Sequence, residues 1–299
     1  MINNSRADHI HKLLSLTEKF KDTASVLEDP EGSSNPQPFK KKKSAFSRYE
    51  AMSTQIQPKE VKETSLLEFK HVDTLGKGAF GAVYLVEHEI TKKRYAMKML
   101  SKAQIEAQKL QRYALTERKI LATINHPFVV KLHYAFQTYD KLIFVMDYCP
   151  GGDLLDIIKK YKKLDEQLVK KYAAEIVLAL ECLHKAEIIY RDLKPANVVI
   201  DKDGHACLTD FGLAKEADMT HSFCGSLAYL SPEMLSRRGH TRTLDWYLLG
   251  VLIYECYTGK PPFYDTNKSE LLNNIKVGRY KPFEASAEMK DIVAKVSCS

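Results

Sequence analysis

No apolar run in the sequence approaches the roughly 20 residues that a helix needs to cross a bilayer. The N-terminus, MINNSRADHIHK, lacks the apolar stretch of a secretory signal, and Ile2 stands where N-myristoylation requires glycine. There is no CxxC pair; Cys149, Cys182, Cys207, Cys224, Cys256 and Cys298 are scattered. That scatter argues against a disulfide framework or a zinc site and for thiols in a reducing compartment, so a cytoplasmic or nuclear chain is expected. Basic residues are not interleaved with aromatics as on a nucleic-acid stacking platform, and nucleic acid is not an expected partner. The net charge of +7 reads as a solvated surface with one basic run. There is no internal repeat, and the expected state is a monomer.

What is present divides in two. Residues 1–68 form an N-terminal extension. A helix is expected over 6–28, where Leu13, Phe20 and Leu27 recur every seven residues beside Ile10, Leu16 and Ala24. A Pro, Ser and Gly-rich linker follows, with a basic run from Lys40 to Lys43. From Phe69 the pattern is globular. FKHVDTL, GAVYLVEHE and RYAMKML predict three antiparallel strands, residues 103–124 one helix, and LHYAFQT and LIFVMDY two further strands. After Gly151 and Gly152 the pattern turns helical, interrupted by short strands at VVID and ACLTD. The expected fold is α+β and bilobal: a β-rich lobe over about 69–148 and an α-rich lobe over about 149–299.

Within this frame lie motifs suited to phosphate chemistry. Leu75-Gly76-Lys77-Gly78-Ala79-Phe80-Gly81-Ala82-Val83 places a G-x-G-x-x-G-x-V pattern between two strands, where glycines let backbone N–H groups approach phosphates. No βαβ unit follows it, which excludes a dinucleotide fold. Lys98 follows on the next strand, and Glu117, 19 residues on, lies in a predicted helix. A lysine that must hold phosphates needs such a fixed carboxylate partner. Tyr190-Arg191-Asp192-Leu193-Lys194-Pro195-Ala196-Asn197 offers Asp192 to accept or orient a hydroxyl proton and Lys194 to neutralise a moving phosphoryl group. Asn197 offers an uncharged oxygen to a divalent metal. Thirteen residues further comes Asp210-Phe211-Gly212, whose hard carboxylate suits Mg²⁺.

In this order and spacing the segment from about Phe69 to the end resembles the eukaryotic protein kinase superfamily. Tyr190, HPFVVKLHYAFQT and Ser222-Phe223-Cys224-Gly225 make it similar to the AGC serine/threonine group. The resemblance implies ATP and Mg²⁺ as cofactors, protein substrates bearing Ser or Thr (with basic flanks in some members), and an upstream activating kinase. It implies Asp192, Lys194, Lys98 and Glu117 as catalytic residues and Asn197 and Asp210 as metal ligands. Leu75, Val83, Ala96, Met146 and Val199 would sandwich adenine, with Met146 as gatekeeper. Backbone groups of Asp147 and Cys149 would bind the adenine edge, and Asp153 the ribose or a basic substrate residue. Leu121, Leu132, Tyr190 and Phe211 would stack as a spine anchored by Asp245. Ser222 would be the activation-loop phosphosite, with Arg191 and Lys215 as its cationic partners.

Several positions depart from the group. Leu227 and Ala228 replace the usual proline and carboxylate, and Ala196 stands where many basophilic members have Glu. Glu255, whose counterpart meets substrate arginines, remains. Set against the group's pattern, with Ser299 the last residue of the sequence, the late helices, the arginine that would meet a buried Glu233, and the C-terminal tail of the group are expected to be missing. The last helix, Ser286 to Val296, would then leave Met289, Ile292, Val293 and Val296 without cover. The expected function is transfer of the γ-phosphoryl of ATP to protein Ser or Thr. The alternative is a catalytically impaired kinase-like module that binds ATP or protein.

Overall fold

The computed structural model describes residues 64–78, 81–217, 227–236 and 239–297. The expected 6–28 helix, the basic run, Ala79, Phe80 and Ser222 lie outside these residues.

The first lobe is an antiparallel sheet of five strands in the order β1-β2-β3-β5-β4. These are β1 (Phe69–Gly78), β2 (Gly81–His88), β3 (Arg94–Ser101), β4 (Leu132–Gln137) and β5 (Lys141–Asp147). Alternation along β3 decides its function. Tyr95 and Met97 point to a core made with Phe69, Val86, Ile143 and Val145. Ala96 and Lys98 point the other way, and Ala96 lies opposite both Leu85 and Met146.

The single helix expected over 103–124 is two: α1 (Lys102–Ala107), capped by Ser101, and α2 (Gln111–Thr123). No Gly or Pro marks the break. Lys109 takes a left-handed backbone (φ 55°), and the Leu110 N–H donates to the Ile105 carbonyl at 2.8 Å. A tertiary demand overrides local propensity here, because the break lets α2 carry Glu117 into the interior.

The second lobe contains α3 (Leu154–Tyr161), α4 (Glu166–Lys185), α5 (Pro232–Leu235), α6 (Thr243–Thr258), α7 (Lys268–Val277) and α8 (Ala287–Ser297). Two short ladders pair β6 (Ile188–Ile189) with β9 (Lys215–Glu216) and β7 (Val198–Ile200) with β8 (Ala206–Leu208). α6 is buried on nearly every side, as its almost unbroken apolar sequence requires. It ends at Gly259, whose φ of 84° and 2.0 Å approach of a notional Cβ to the Lys162 carbonyl leave room for no side chain. No described helix is long and apolar enough to cross a membrane.

The last helix differs from expectation. α8 packs on α6, and Met289 and Val293 are buried there. Glu233, expected to be buried, is half-exposed in α5 and has no ion pair among the described residues.

The start of α8 is tied to the start of α4 by Glu166. That carboxylate accepts the Ser286 hydroxyl, the Ser286 N–H at 3.1 Å and the Lys170 ammonium at 2.7 Å. Burial opposes its charge, but the Lys170 and Ser286 donors outweigh burial and hold its pKa down at about 2. A depressed folded pKa stabilises the fold above the ordinary value of 4.5, and that contribution is lost as pH falls toward 2. Glu166→Gln should therefore cost about 1 kcal/mol in urea unfolding near neutral pH. The gap to wild type should narrow as pH is lowered from about 7 to about 3. A gap independent of pH would show that the carboxylate charge does not hold α8.

Candidate active site

The cleft face of β3 carries Lys98. Its ammonium donates to both Glu117 oxygens, at 2.7 and 2.9 Å, and to Asp210 Oδ1 at 3.0 Å. Glu117 is buried on α2, and Asp210 follows β8 with its carboxylate half-open to the cleft. Burial works against the Lys98 charge, but the Glu117 and Asp210 carboxylates outweigh it and hold its pKa above the ordinary lysine range. Burial likewise opposes ionisation of Asp210, and the Lys98 charge overcomes it, keeping this carboxyl below its ordinary value. Both groups are therefore charged at neutral pH.

Asp192 lies in the segment between β6 and β7. Lys194 Nζ donates to its two oxygens at 3.0 and 2.8 Å. Asn197 Nδ2 donates to the Asp192 carbonyl at 2.8 Å and to Oδ2 at 2.7 Å. Burial raises the Asp192 pKa against the pull of Lys194, so it is a stronger proton acceptor than a surface carboxylate. With both amide hydrogens of Asn197 engaged there, its Oδ1 has no hydrogen-bond donor among the described residues. The segment's shape depends on Asp245, fully buried on α6, which accepts Tyr190 N–H at 2.9 Å, Arg191 N–H at 2.7 Å and His184 Nε2 at 2.7 Å. Arg191 (φ 70°) and Asp210 (φ 57°) both take the left-handed backbone, a conformation that costs about 1–3 kcal/mol outside glycine.

Residues 69–298 match the family described as protein kinase domain. The chain belongs to the protein kinase family. Its relatives place it in the AGC serine/threonine group. It is 46% identical over 230 residues to Protein kinase 2 of Dictyostelium discoideum, covering 76% of this chain and 48% of that protein. It is 46% identical over 224 residues to the RAC family serine/threonine-protein kinase homolog of the same organism, covering 73% and 50%. It is 43% identical over 223 residues to the serine/threonine-protein kinase sgk-1 of Caenorhabditis elegans, covering 73% and 48%. The chain spans about half the length of these curated relatives.

The kinase cleft gathers most residues singled out in the sequence. The adenine candidates Val83, Ala96 and Met146 occupy facing positions of β2, β3 and β5: Ala96 pairs with Met146, and Val83 pairs with Lys98. Val199 is on β7, bridged to Asp153, and Leu75 is exposed on β1. Asp147 N–H is already used, donating to the Lys131 carbonyl at 3.1 Å. Its side chain holds His133 at 2.7 Å. Asp153 caps α3 through Asp156 N–H at 2.9 Å, a structural task beside any ligand contact. Gly76, Lys77 and Gly78 lie at the described end of β1.

The glycines divide the work differently from the sequence reading. A Cβ at Gly76 would meet nothing within 4 Å, leaving the approach to the backbone open. A Cβ at Gly81 would come within 1.8 Å of the Met99 carbonyl, so this glycine lets the start of β2 lie close against β3.

Tyr190 and Phe211 meet edge-on at 5.2 Å between ring centres, and Leu121 and Leu132 are buried. Arg191 Nε donates to the Leu213 carbonyl at 2.6 Å, and Lys215 pairs with Ile189. Glu255 has a partner within the chain. It is buried and accepts the Tyr229 hydroxyl, and burial raises its pKa. Tyr229 went unrecognised in the sequence because only the fold brings the loop before α5 against α6.

Proposed function

We propose that this chain transfers the γ-phosphoryl of ATP to serine or threonine hydroxyls of proteins. One observation carries the reading: two hydrogen-bonded charged clusters, Lys98–Glu117–Asp210 and Asp192–Lys194–Asn197, are drawn from separate segments and adjoin, with Thr209 N–H, next to Asp210, donating to the Asn197 carbonyl at 3.0 Å and the Lys194 charge felt by Asp210. The names of the relatives support a serine or threonine acceptor. Lys98, fixed by Glu117, binds the ATP phosphates. Asp192 accepts the hydroxyl proton, and Lys194 beside it meets the developing charge on the moving group.

The half-open Asp210 carboxylate and the uncommitted Asn197 Oδ1 are hard oxygen donors that suit Mg²⁺. Bound there, the ion supplies charge neutralisation of the phosphates.

Asp192→Asn tests the reading. It keeps the shape and removes the proton acceptor, so kcat should fall by about 10²–10⁴-fold with nucleotide affinity retained. In the wild type, burial raises the Asp192 pKa, so kcat/KM should begin to fall with acidification above the ordinary aspartate range. Wild-type turnover by Asp192→Asn in a radiolabelled-phosphate assay would end the assignment.

A further inference from the structure

β4 carries one residue more than its partner strand can pair. Leu132 lies opposite Met146 and Tyr134 opposite Val145, so His133 is left between them as a bulge. A bulge interrupts the pleat and re-aims the extra side chain. Here the His133 ring meets Asp147, the last residue of β5, with Nε2 2.7 Å from Oδ1. Beside an ionised carboxylate the ring presents Nε2–H as the donor.

Asp147 is thus clamped to the β4 side of the sheet by three hydrogen bonds. Its N–H donates to the Lys131 carbonyl at 3.1 Å, and its Oδ2 accepts the Lys131 N–H at 3.1 Å. The third bond, to His133, is the one that a neighbouring side chain supplies. Tyr95, paired with Asp147 across β3, stands edge-on to the His133 ring at 5.1 Å between centres. The His133 side chain is only 16% exposed, so the ring is held from both sides. Burial opposes the Asp147 charge, but the His133 donor outweighs it and keeps this carboxyl below its ordinary value.

We propose that His133 is a positioning residue for nucleotide selection: through Asp147 it fixes the start of the connector after β5, so that the connector's backbone edge fits adenine. The inference rests on the ATP-binding reading above and deepens it.

Asp147 joins Met146, opposite Ala96 on the cleft side of the sheet, to Tyr148 and Cys149 of the connector. In the ATP-binding reading, backbone groups of Asp147 and Cys149 meet the adenine edge. Guanine presents a carbonyl and a ring N–H where adenine presents an amino group and a ring nitrogen. A connector held in one place pairs with adenine and leaves the guanine groups unpaired. A connector free to shift loses that contrast. His133 acts through Asp147 and touches no nucleotide in this scheme. Without the ring, Asp147 keeps both Lys131 bonds, so the loss is partial and the sheet persists.

The experiment measures displacement of a fluorescent ATP analogue from the full chain by ATP and by GTP, with kcat and KM for ATP on the same preparations. Wild type should prefer ATP. His133→Ala should bind ATP about fivefold more weakly, the worth of one hydrogen bond, and GTP as before. KM for ATP should rise in step while kcat at saturating ATP holds. His133→Gln, whose amide N–H reaches the same carboxylate, should restore most of the preference. Should His133→Ala not fold, Asp147→Asn weakens the same bond and carries the comparison. Unchanged ATP affinity overturns the proposal, and so does an equal loss for ATP and GTP, which would mark His133 as a support of the sheet alone. His133→Gln as poor as His133→Ala overturns the hydrogen bond as the cause. A wild type that binds ATP and transfers nothing counts against the proposed function, while the ATP and GTP comparison still decides His133. A wild type that binds neither nucleotide overturns both.

Discussion

Replacing Lys98 with methionine lowers kcat/KM for phosphoryl transfer by about 100-fold or more, the usual loss when a fixed charge leaves a water-excluded site. Methionine keeps the apolar stem that packs on β3 and removes only the ammonium held by Glu117 and Asp210 at 2.7 and 3.0 Å. Asp210→Ala should fall by a similar factor, through the carboxylate offered to the metal. Because Lys98 and Asp210 are in direct contact, the double variant should lose less than the product of the two single losses. Lys98→Met also leaves Glu117 buried beside one carboxylate and no cation, so thermal melting belongs beside the kinetics. Wild-type turnover of either single variant at saturating ATP and Mg²⁺ would remove the phosphate-binding role. Full additivity in the double variant would show that the two groups act apart.

Asp245→Ala destabilises the kinase lobe by about 3–5 kcal/mol, because it leaves buried donors without their acceptor. The Asp245 carboxylate accepts two consecutive backbone N–H groups, of Tyr190 and Arg191, and the His184 ring nitrogen. Trp246 stacks edge-on to His184 at 5.2 Å, so the site cannot simply flood without disturbing α6. The same substitution should lower kcat, since the left-handed Arg191 immediately before Asp192 is held through its N–H. Asp245→Asn, which retains one acceptor oxygen, should recover part of the stability and part of the rate. The measurement is the shift of the urea midpoint at constant m, with turnover on the same preparations. A loss near zero for Asp245→Ala would mean that water satisfies all three donors.

The sequence and the structure divide the explanation unevenly. β-type runs separated by turn signals made β1, β2 and β3 legible in FKHVDTL, GAVYLVEHE and RYAMKML, although β1 is exposed beyond Phe69 while β3 buries one face. The reactive groups were legible for a related reason: phosphate chemistry needs particular residue types at short, nearly invariant spacings, such as Asp192, Lys194 and Asn197 within one turn of chain. By itself the sequence thus determined the two-lobed fold, the phosphate-directed motifs and the kinase family.

Other features had no local mark. Nothing in residues 103–124 signals the break at Lys109 that separates α1 from α2. The role of Gly81 depends on how near β3 comes, the cover of Met289 and Val293 on where α6 lies, and the burial of Glu255 on where Tyr229 arrives. Lys98 and Asp210 are 112 residues apart in the chain and 3.0 Å apart in space. Local patterns report what each segment can do, because propensity and spacing act over a few residues. Which charges meet and which carboxylates lose water were decided only by tertiary structure, because hydrogen bonding and desolvation act over a few ångströms regardless of separation along the chain.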